Sequence, residues 1–585
     1  MKFFKSFLAS FLGTFVAMGL VALFFFIGIA AIATSVSFEK TEGTWIGENS
    51  VLNLDLNTSI IEDRGPAFNP LESFSDIGPG LTGMDKILGS IHKAKYNDKI
   101  KGIKIHSGNI SSGWAQAHEI RKALKEFKNT GKFIYAYSDY MSQTGYYVSS
   151  VADSIFMNPM GMIELKGLAS EVLYYEDFQN QYGVKMEVVR HGKYKSAVEP
   201  YLQDHMSEEN RIQIQGLLDA AWGTIRDEVA ESRGMAPATL DALVDDLVVT
   251  DAEKAHAQGI IDGLVYEDEF ENKIKATIEV DTSEELKVVN FNKMNVRIKE
   301  YDKKISERIA IIYAQGPIFY TKGSEKIIGK EAINKAFQQV LDNKNIKGVV
   351  LRIDSPGGDA LTSEIILNAS RALKDQKPLV VSMGNVAASG GYYISCLADR
   401  IFADPMTITG SIGVLAAFPN IRGMTDKIGI NAEQVTTHDN AMGYSVFEPL
   451  GGGFEKSVKT TIEKIYHTFK SRVAEGRSLS METVEDIAQG RVWSGKDALR
   501  IGLVDALGGL QEAIAAAADL AGVESYNLVD YPKYDDDLES ILFNAFSEAK
   551  TKLFQYPLEK YTSEFIELSR MEGIQTRIPY SIKME

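Results

Sequence analysis

The sequence predicts an α/β protein built from two copies of one unit and preceded by a membrane-spanning helix, and three observations carry that reading. Short β-rich apolar runs alternate with helical patterns along most of the chain. A set of short motifs recurs at a constant offset of 246 residues, and no charged residue interrupts the stretch between Lys5 and Glu39. The composition agrees. A chain of 585 residues is too long for one core, and at ~100–200 residues per domain it should hold about three to five structural units. With 45% apolar and 24% charged residues and 15 prolines it is ordinary globular material, which excludes a mostly disordered or collagen-like chain. The balance of 62 basic against 79 acidic residues gives a net charge of −17, so nucleic-acid binding would work against long-range repulsion. A single cysteine, Cys396, permits neither an intrachain disulfide nor a Cys-rich zinc site.

The first element is the uncharged N-terminal run, which includes Val21-Ala22-Leu23-Phe24-Phe25-Phe26-Ile27. About 20 apolar residues suffice to cross the hydrocarbon core as a helix, so residues 6–38 read as a signal anchor. Lys2 and Lys5 precede the run and Glu39 follows it. The positive-inside rule then leaves residues 1–5 in the cytoplasm and exports the body. Ala31-Ile32-Ala33 resembles a cleavage site, but a secretory apolar core is usually roughly 7–15 residues and this run is about twice that. An uncleaved anchor is the expectation.

The repeat comes next. Ile100-Lys101-Gly102 recurs as Ile346-Lys347-Gly348, Gly145-Tyr146-Tyr147 as Gly391-Tyr392-Tyr393, and Ala152-Asp153-x-Ile155-Phe156 as Ala398-Asp399-x-Ile401-Phe402, all 246 residues apart. Pro159-Met160 and Pro405-Met406 keep the register. A duplication is the economical explanation, with one copy at 48–290, a charged linker at 291–307, the second copy at 308–530 and a tail at 531–585 outside the repeat. In the second copy Ile309 to Tyr313, Gly348 to Ile353 and Pro378 to Met383 read as buried strands. Between them, Lys330 to Asn343 and Thr362 to Lys374 show helical spacing. This alternation is βαβ grammar with a parallel sheet. In the tail, Leu538 to Leu568 reads as an acidic amphipathic helix packed on the body or on another subunit.

Small-residue clusters mark the strand ends. Asp354-Ser355-Pro356-Gly357-Gly358 follows the second strand and Asn385-Val386-Ala387-Ala388-Ser389-Gly390-Gly391 the third, and in open α/β sheets ligands bind at the carboxyl ends of strands. Ser389 stands where a strand turns into a helix, placed like a nucleophile, with unpaired N–H groups at the helix start. Gly357, Gly358 and Gly390 could bring their N–H groups to a carbonyl as an oxyanion hole. Neither loop has a Walker lysine or a GxGxxG spacing, which argues against a nucleotide. A serine hydroxyl needs a base. His438 and His467, the histidines of the second copy, have no motif around them. A buried lysine can serve instead, since burial disfavours the ammonium form; Lys193 and Lys195 are both candidates, and the residues alone do not rank them.

Four motifs, taken together, resemble the signal peptide peptidases of the protease IV type in their long, duplicated form. They are Gly192-Lys193-Tyr194-Lys195-Ser196-Ala197-Val198-Glu199-Pro200, Ser355-Pro356-Gly357-Gly358, Met383-Gly384-Asn385-Val386-Ala387-Ala388-Ser389-Gly390-Gly391-Tyr392 and Thr409-Gly410-Ser411-Ile412-Gly413. The resemblance implies tandem ClpP/crotonase-like domains, a serine nucleophile at Ser389, a lysine general base at Lys195, Ser411 holding the lysine amine, and an oxyanion hole around Gly357 and Gly390. It also implies a homotetramer acting on hydrophobic peptides such as released signal peptides. The expected location is the bacterial inner membrane, single-pass, with a periplasmic body. No cofactor, metal or nucleic acid is expected. The repeat supports the assignment: the 246 offset puts Gln143 opposite Ser389, and aligning Glu199-Pro200 with Glu448-Pro449 puts Tyr444 opposite Lys195. Each copy keeps one member of the pair, so one composite site per chain is expected. The rival readings are a crotonase-like acyl-CoA enzyme and an inactive peptide-binding scaffold.

Overall fold

The computed structural model describes residues 46–57, 60–64, 81–294, 301–534 and 574–577. The expected anchor at 6–38 and the expected tail helix lie outside the described residues. Among the described residues, no helix is long and apolar enough to cross a membrane.

The first copy supplies strands β1 (Ser50–Asp55), β2 (Ile100–His106), β3 (Phe133–Met141), β4 (Ser154–Ile163), β5 (Lys185–His191), β6 (Gly263–Leu264) and β7 (Val288–Asn290). The second supplies β8 (Arg308–Gln315), β9 (Ile318–Phe319), β10 (Ile328–Gly329), β11 (Ile346–Ser355), β12 (Gly357–Asp359), β13 (Leu379–Ala388), β14 (Arg400–Ala403), β15 (Ile408–Gly410), β16 (Val414–Asn420), β17 (Val492–Ser494), β18 (Ala506–Leu507) and β19 (Asn527–Tyr531). A last strand, β20, is Ile574–Arg577. The first sheet runs β6-β4-β3-β2-β1-β7 and is parallel throughout. The second runs β17-β15-β13-β11-β8-β19, with β14 beside β13 and β18 beside β14; only the β15–β17 pair is antiparallel. Continuous apolar runs such as Val349-Val350-Leu351 make these strands, because a parallel sheet is covered on both faces. Helices Lys330–Asp342 and Ala360–Lys374 lie where the spacing predicts them. The first buries Ile333, Phe337 and Val340, a stripe three and four residues apart. Asp359 caps the second through the Thr362 N–H at 2.7 Å.

The duplication is visible bond by bond. Ile134 N–H donates to Asp153 and Leu379 N–H to Asp399, both at 2.8 Å. The hydroxyls of Tyr146 and Tyr392 donate to the carbonyls of Ile260 and Leu503. One difference from the sequence reading matters. The third strand continues to Ala388, because Val386, Ala387 and Ala388 pair with Ile408, Thr409 and Gly410 of β15. The stretch Asn385 to Ala388, which reads as a loop from its small residues, is therefore strand, and it delivers Ser389 from a rigid element.

Two devices join the copies. One apolar cluster runs from Leu52, Ile87 and Leu124 of the first copy to Ile309, Val350 and Ile514 of the second. The other is a third, mixed sheet, β10-β9-β12-β20-β16-β5, in which β5 of the first copy pairs antiparallel with β16 of the second over seven residues. At the same interface, Arg352 is 1% exposed and forks two first-copy carboxylates, Asp63 (2.8 and 3.0 Å) and Glu119 (2.9 and 3.0 Å). Its remaining N–H reaches Ser382 Oγ at 2.8 Å. Removing one member of such a cluster leaves buried charge without a partner, at a cost of about 3–5 kcal/mol. Arg352→Leu should therefore lower the unfolding free energy measured in urea by an amount in that range, whereas Lys125→Leu, which breaks an exposed pair with Glu231, should change it by less than about 1 kcal/mol.

Candidate active site

Ser389 is fully buried at the N-cap of helix Gly390–Ser395, with φ +56° and ψ −115°. A non-glycine residue held there stores backbone strain, on the order of 1–3 kcal/mol. The surroundings impose it: Ser389 N–H donates to Gly410 O at 2.7 Å, and Ser389 O accepts Tyr393 N–H at 2.8 Å. The strand end is pinned from the other side by Asp354, whose carboxyl accepts Val386 N–H at 2.9 Å and the Asn385 amide at 3.4 Å. Burial, with the Asp63 carboxylate nearby, pushes Asp354 up to about 7.

Lys195 comes from the first copy. It follows β5 and precedes the 3-10 turn Ser196–Tyr201, so the β5–β16 ladder carries it to Ser411, which lies just before β16. Its Nζ stands 2.8 Å from Ser389 Oγ, 3.0 Å from Ser411 Oγ and 3.2 Å from Ser411 O. The side chain is 1% exposed. Among the described residues no carboxylate makes an ion pair with it, and burial pulls its pKa down to about 7. Ser411 has φ +53° and turns both of its oxygens to the amine. A neutral amine can give its two N–H groups to those oxygens, which leaves its lone pair for the Ser389 hydroxyl proton. Lys193, the other candidate from the sequence, is exposed and lies over the Tyr194 ring. His438 and His467 are exposed too.

The lysine segment is itself clamped by the second copy. Tyr194 N–H donates to Gln489 O at 3.0 Å, and a Cβ on Gly490 (φ +80°) would come within 2.6 Å of Lys195 Cβ. Behind it, Glu199 accepts hydrogen bonds from Tyr174 Oη, Ser207 N and Asn210 Nδ2. Burial alone would raise the Glu199 pKa, but these donors, with the Ser207 hydroxyl, outweigh it and hold the carboxyl below its usual range. Of the three glycines considered for an oxyanion hole, Gly357 gives its N–H to Ser355 Oγ at 3.2 Å. Gly358 N lies 3.1 Å from the point where a Cβ of Gly390 would stand, so these two glycines adjoin beside Ser389. Among the described residues no group of His, Cys, Asp and Glu is arranged to hold a metal.

A buried serine hydroxyl bonded to a neutral-capable lysine, with backbone N–H groups alongside, can carry out acyl transfer. The comparisons with known proteins agree. The sequence profile of peptidase family S49 matches residues 126–281 and again 371–524. The chain belongs to peptidase family S49. It is 32% identical over 553 residues to Protease 4 of Haemophilus influenzae, covering 91% of this chain and 89% of that protein. It is also 32% identical to the chloroplastic serine protease SPPA of Arabidopsis thaliana, covering 85% of this chain and 73% of the relative. Protease 4 of Salmonella typhi is 32% identical, with 77% and 74% covered. S49 membership makes the protein a serine protease, which sets aside the acyl-CoA and inactive-scaffold readings.

Sequence reasoning missed Asp63, Glu119, Arg352 and Asp354, which hold the strand ends together. The only signal was the Arg352-x-Asp354 spacing on one strand, and its partners lie more than 200 residues away. The Gly490 contact generates a test. Gly490→Ala should displace Lys195 and reduce turnover by about a hundredfold, the cost of a misplacement of around 1 Å; turnover and thermal unfolding measured together should show the rate falling with the fold retained.

Proposed function

We propose that the protein is a membrane-anchored serine endopeptidase in which Ser389 is the nucleophile and Lys195 the general base, acting on hydrophobic peptides such as cleaved signal peptides. The observation that carries this is the 2.8 Å approach of Lys195 Nζ to Ser389 Oγ, with no carboxylate among the described residues making an ion pair with that lysine. Neutral Lys195 accepts the Ser389 proton as Oγ attacks the peptide carbonyl carbon. The ammonium so formed gives that proton to the leaving amine as the C–N bond breaks. The same amine then activates water, whose attack on the ester releases the acid and restores the hydroxyl. Ser411 keeps the amine in place through both steps, and backbone N–H groups at the start of helix Gly390–Ser395 stabilise the developing oxyanion. Gly357, at φ +96°, shapes the adjoining turn.

The third sheet supports a peptide substrate. Without β20 it divides into β10-β9-β12 and β16-β5, whose facing edges stand two strand spacings apart, about 9–10 Å. A slot one strand wide accepts an extended chain by its main-chain groups. Here β20 fills it, antiparallel to both neighbours, with Gly357, Gly358 and Asp359 opposite Arg577, Thr576 and Gln575. The apolar cluster of Ala197, Val198, Leu415 and Ala417 beside Lys195 supports a preference for hydrophobic side chains. The uncharged run at 6–38 supports an inner-membrane anchor with a periplasmic body, and the resemblance to the long signal peptide peptidases supports a homotetramer.

Four experiments test this reading. Ser389→Ala and Lys195→Ala should each cost on the order of 10⁴–10⁶ in turnover, and the double variant hardly more, because the pair acts as one unit. A serine-directed phosphonate should label the parent protein, label Lys195→Ala slowly and leave Ser389→Ala unlabelled. A lysine must be neutral to act as base, so activity should rise with pH through about 7, well below the ~10.4 of a free lysine; a profile still rising only above pH 9 would remove Lys195 from the role. For the slot, the full-length double variant Gln575→Pro/Thr576→Pro removes two ladder donors on opposite edges of β20. It should lower the KM for a hydrophobic peptide while leaving kcat unchanged, and a KM that stays put would separate the slot from the substrate.

A further inference from the structure

A chain of buried side chains runs from the lysine segment to the strand beside the nucleophile, and its polarity can be read from one end. Glu199 is held ionised by its donors, and an ionised carboxylate only accepts. The Asn210 atom that meets it at 3.1 Å is accordingly the amide nitrogen. The Asn210 carbonyl then points the other way and accepts Gln213 Nε2 at 3.0 Å, which fixes the Gln213 amide in its turn. Gln213 Nε2 also lies 2.6 Å from Ser196 Oγ and 3.3 Å from Tyr194 O, the residues on either side of Lys195. Its Oε1 accepts Val492 N–H at 3.2 Å. Gln213 is 4% exposed and Asn210 is fully buried, both on helix Glu208–Arg233 of the first copy.

Val492 belongs to β17 of the second copy, where it stands opposite Gly410 of β15. Gly410 O holds Ser389 N–H and Arg491 O holds Ser411 N–H, both at 2.7 Å. One amide thus touches the backbone around the lysine on one side and, on the other, the strand pair that fixes both serines. The arrangement belongs to the lysine-bearing copy. Helices Glu208–Arg233 and Gly452–Arg477 are both 26 residues long, and aligning their ends sets Ser457 opposite Gln213. Ser457 is exposed. Glu448, the counterpart of Glu199, pairs instead with the exposed Arg422.

We propose that Gln213 is a positioning residue for the reaction: it touches no reacting atom, but by tying the Lys195 backbone to β17 it sets the approach of Lys195 Nζ to Ser389 Oγ. This rests on the dyad reading above and adds the link that spans the two copies. The ladder between β5 and β16 brings the lysine segment into the neighbourhood of Ser411. Gln213 fixes where the segment stops, because its bonds to Tyr194 and Ser196 bracket the one residue whose side chain enters the site. A shift of around 1 Å there costs about a hundredfold in rate.

Gln213→Met keeps the length of the side chain and removes every one of these hydrogen bonds. A serine-directed phosphonate on the full-length protein reads the amount of label at completion and the rate of labelling separately. The expected result is complete labelling at a rate ten- to a hundredfold below the parent's, with kcat for a hydrophobic peptide reduced by the same factor and KM unchanged. The exposed Gln215→Met, two residues along the helix, should label as the parent does. A residue that served only the fold would lower the labelled fraction and leave the rate per labelled site at the parental value, and that result would overturn the proposal. Should Gln213→Met not fold, Gln213→Glu is the closer replacement: it still accepts Val492 N–H, but as a carboxylate it gives nothing to Tyr194 O. Its charge near the lysine favours the ammonium, so the rising limb of the kcat–pH profile should move to higher pH and labelling at pH 7 should slow. A parental profile and rate would overturn the proposal. Lys195→Ala separates the two readings. If it labels as fast as the parent, the dyad reading fails and this one with it; if it is slow while the Gln213 variants keep the parental rate, this one alone fails.

Discussion

The structure depends on the antiparallel ladder between β5 and β16. Each copy folds its own sheet, but Lys195 belongs to the first copy and Ser389 to the second, so neither sheet alone brings them together. The seven-residue pairing of Lys185–His191 with Val414–Asn420 does so, because Lys195 leaves one end of it and Ser411 enters the same end. Register is what counts, since a one-residue slip in a strand turns every side chain to the other face. The ladder is kept from slipping by contacts at its end: Arg190 donates to Lys195 O at 3.0 Å, and Tyr194 to Gln489 O. Joining the copies and building the site are thus one structural act.

Electrostatics in this interface follow two opposite rules a short way apart. Arg352 is surrounded by carboxylates, and its charge is held well above any chance of loss despite burial. His118 likewise stays charged: burial disfavours its imidazolium, but Asp404 and Glu228 raise it to about 10. Lys195 is buried just as deeply and receives only hydroxyl and carbonyl oxygens. Those can bond a neutral amine and cannot repay an ammonium for lost solvation. The carboxylate-rich cluster fixes the strand ends, and keeping its acids away from the lysine leaves that lysine able to take a proton.

Much of this was legible in the chain because the chemistry sits in short, local motifs. Ser389, Ser411 and the glycines each lie in a run of small residues at a strand end, and the repeat offsets set Ser389 opposite Gln143 and Lys195 opposite Tyr444. The choice between Lys193 and Lys195 was closed to residue-level reasoning, because two lysines separated by one tyrosine differ only in which way the backbone turns them. The β13 extension was hidden because Gly384, Ala387 and Ala388 suit a turn as well as a covered strand. Asp63, Glu119 and Arg352 were invisible for a different reason: they meet across 233 and 289 residues, where no local periodicity reaches. The mixed sheet was missed on the same ground, since its strands come from three distant parts of the chain.

The vacated half-site shows how a duplicated enzyme can lose chemistry without losing structure. Gln143 stands where Ser389 has its counterpart, and it is buried. Its Oε1 accepts the N–H groups of Lys166 and Gly167 at 2.9 Å, and its Nε2 donates to Gly167 O. Those residues correspond to Ile412 and Gly413, the loop that in the second copy follows Ser411 and flanks Lys195. Where Ser411 would stand, the first copy has the buried Leu165, which has no oxygen to offer an amine. A glutamine that satisfies three main-chain groups fills the position more stably than a strained serine without a partner, since buried polar groups left unpaired cost about 1–3 kcal/mol each. In the proposed dyad the base comes from one copy and the nucleophile from the other, which leaves a spare position such as Gln143 to serve as a latch.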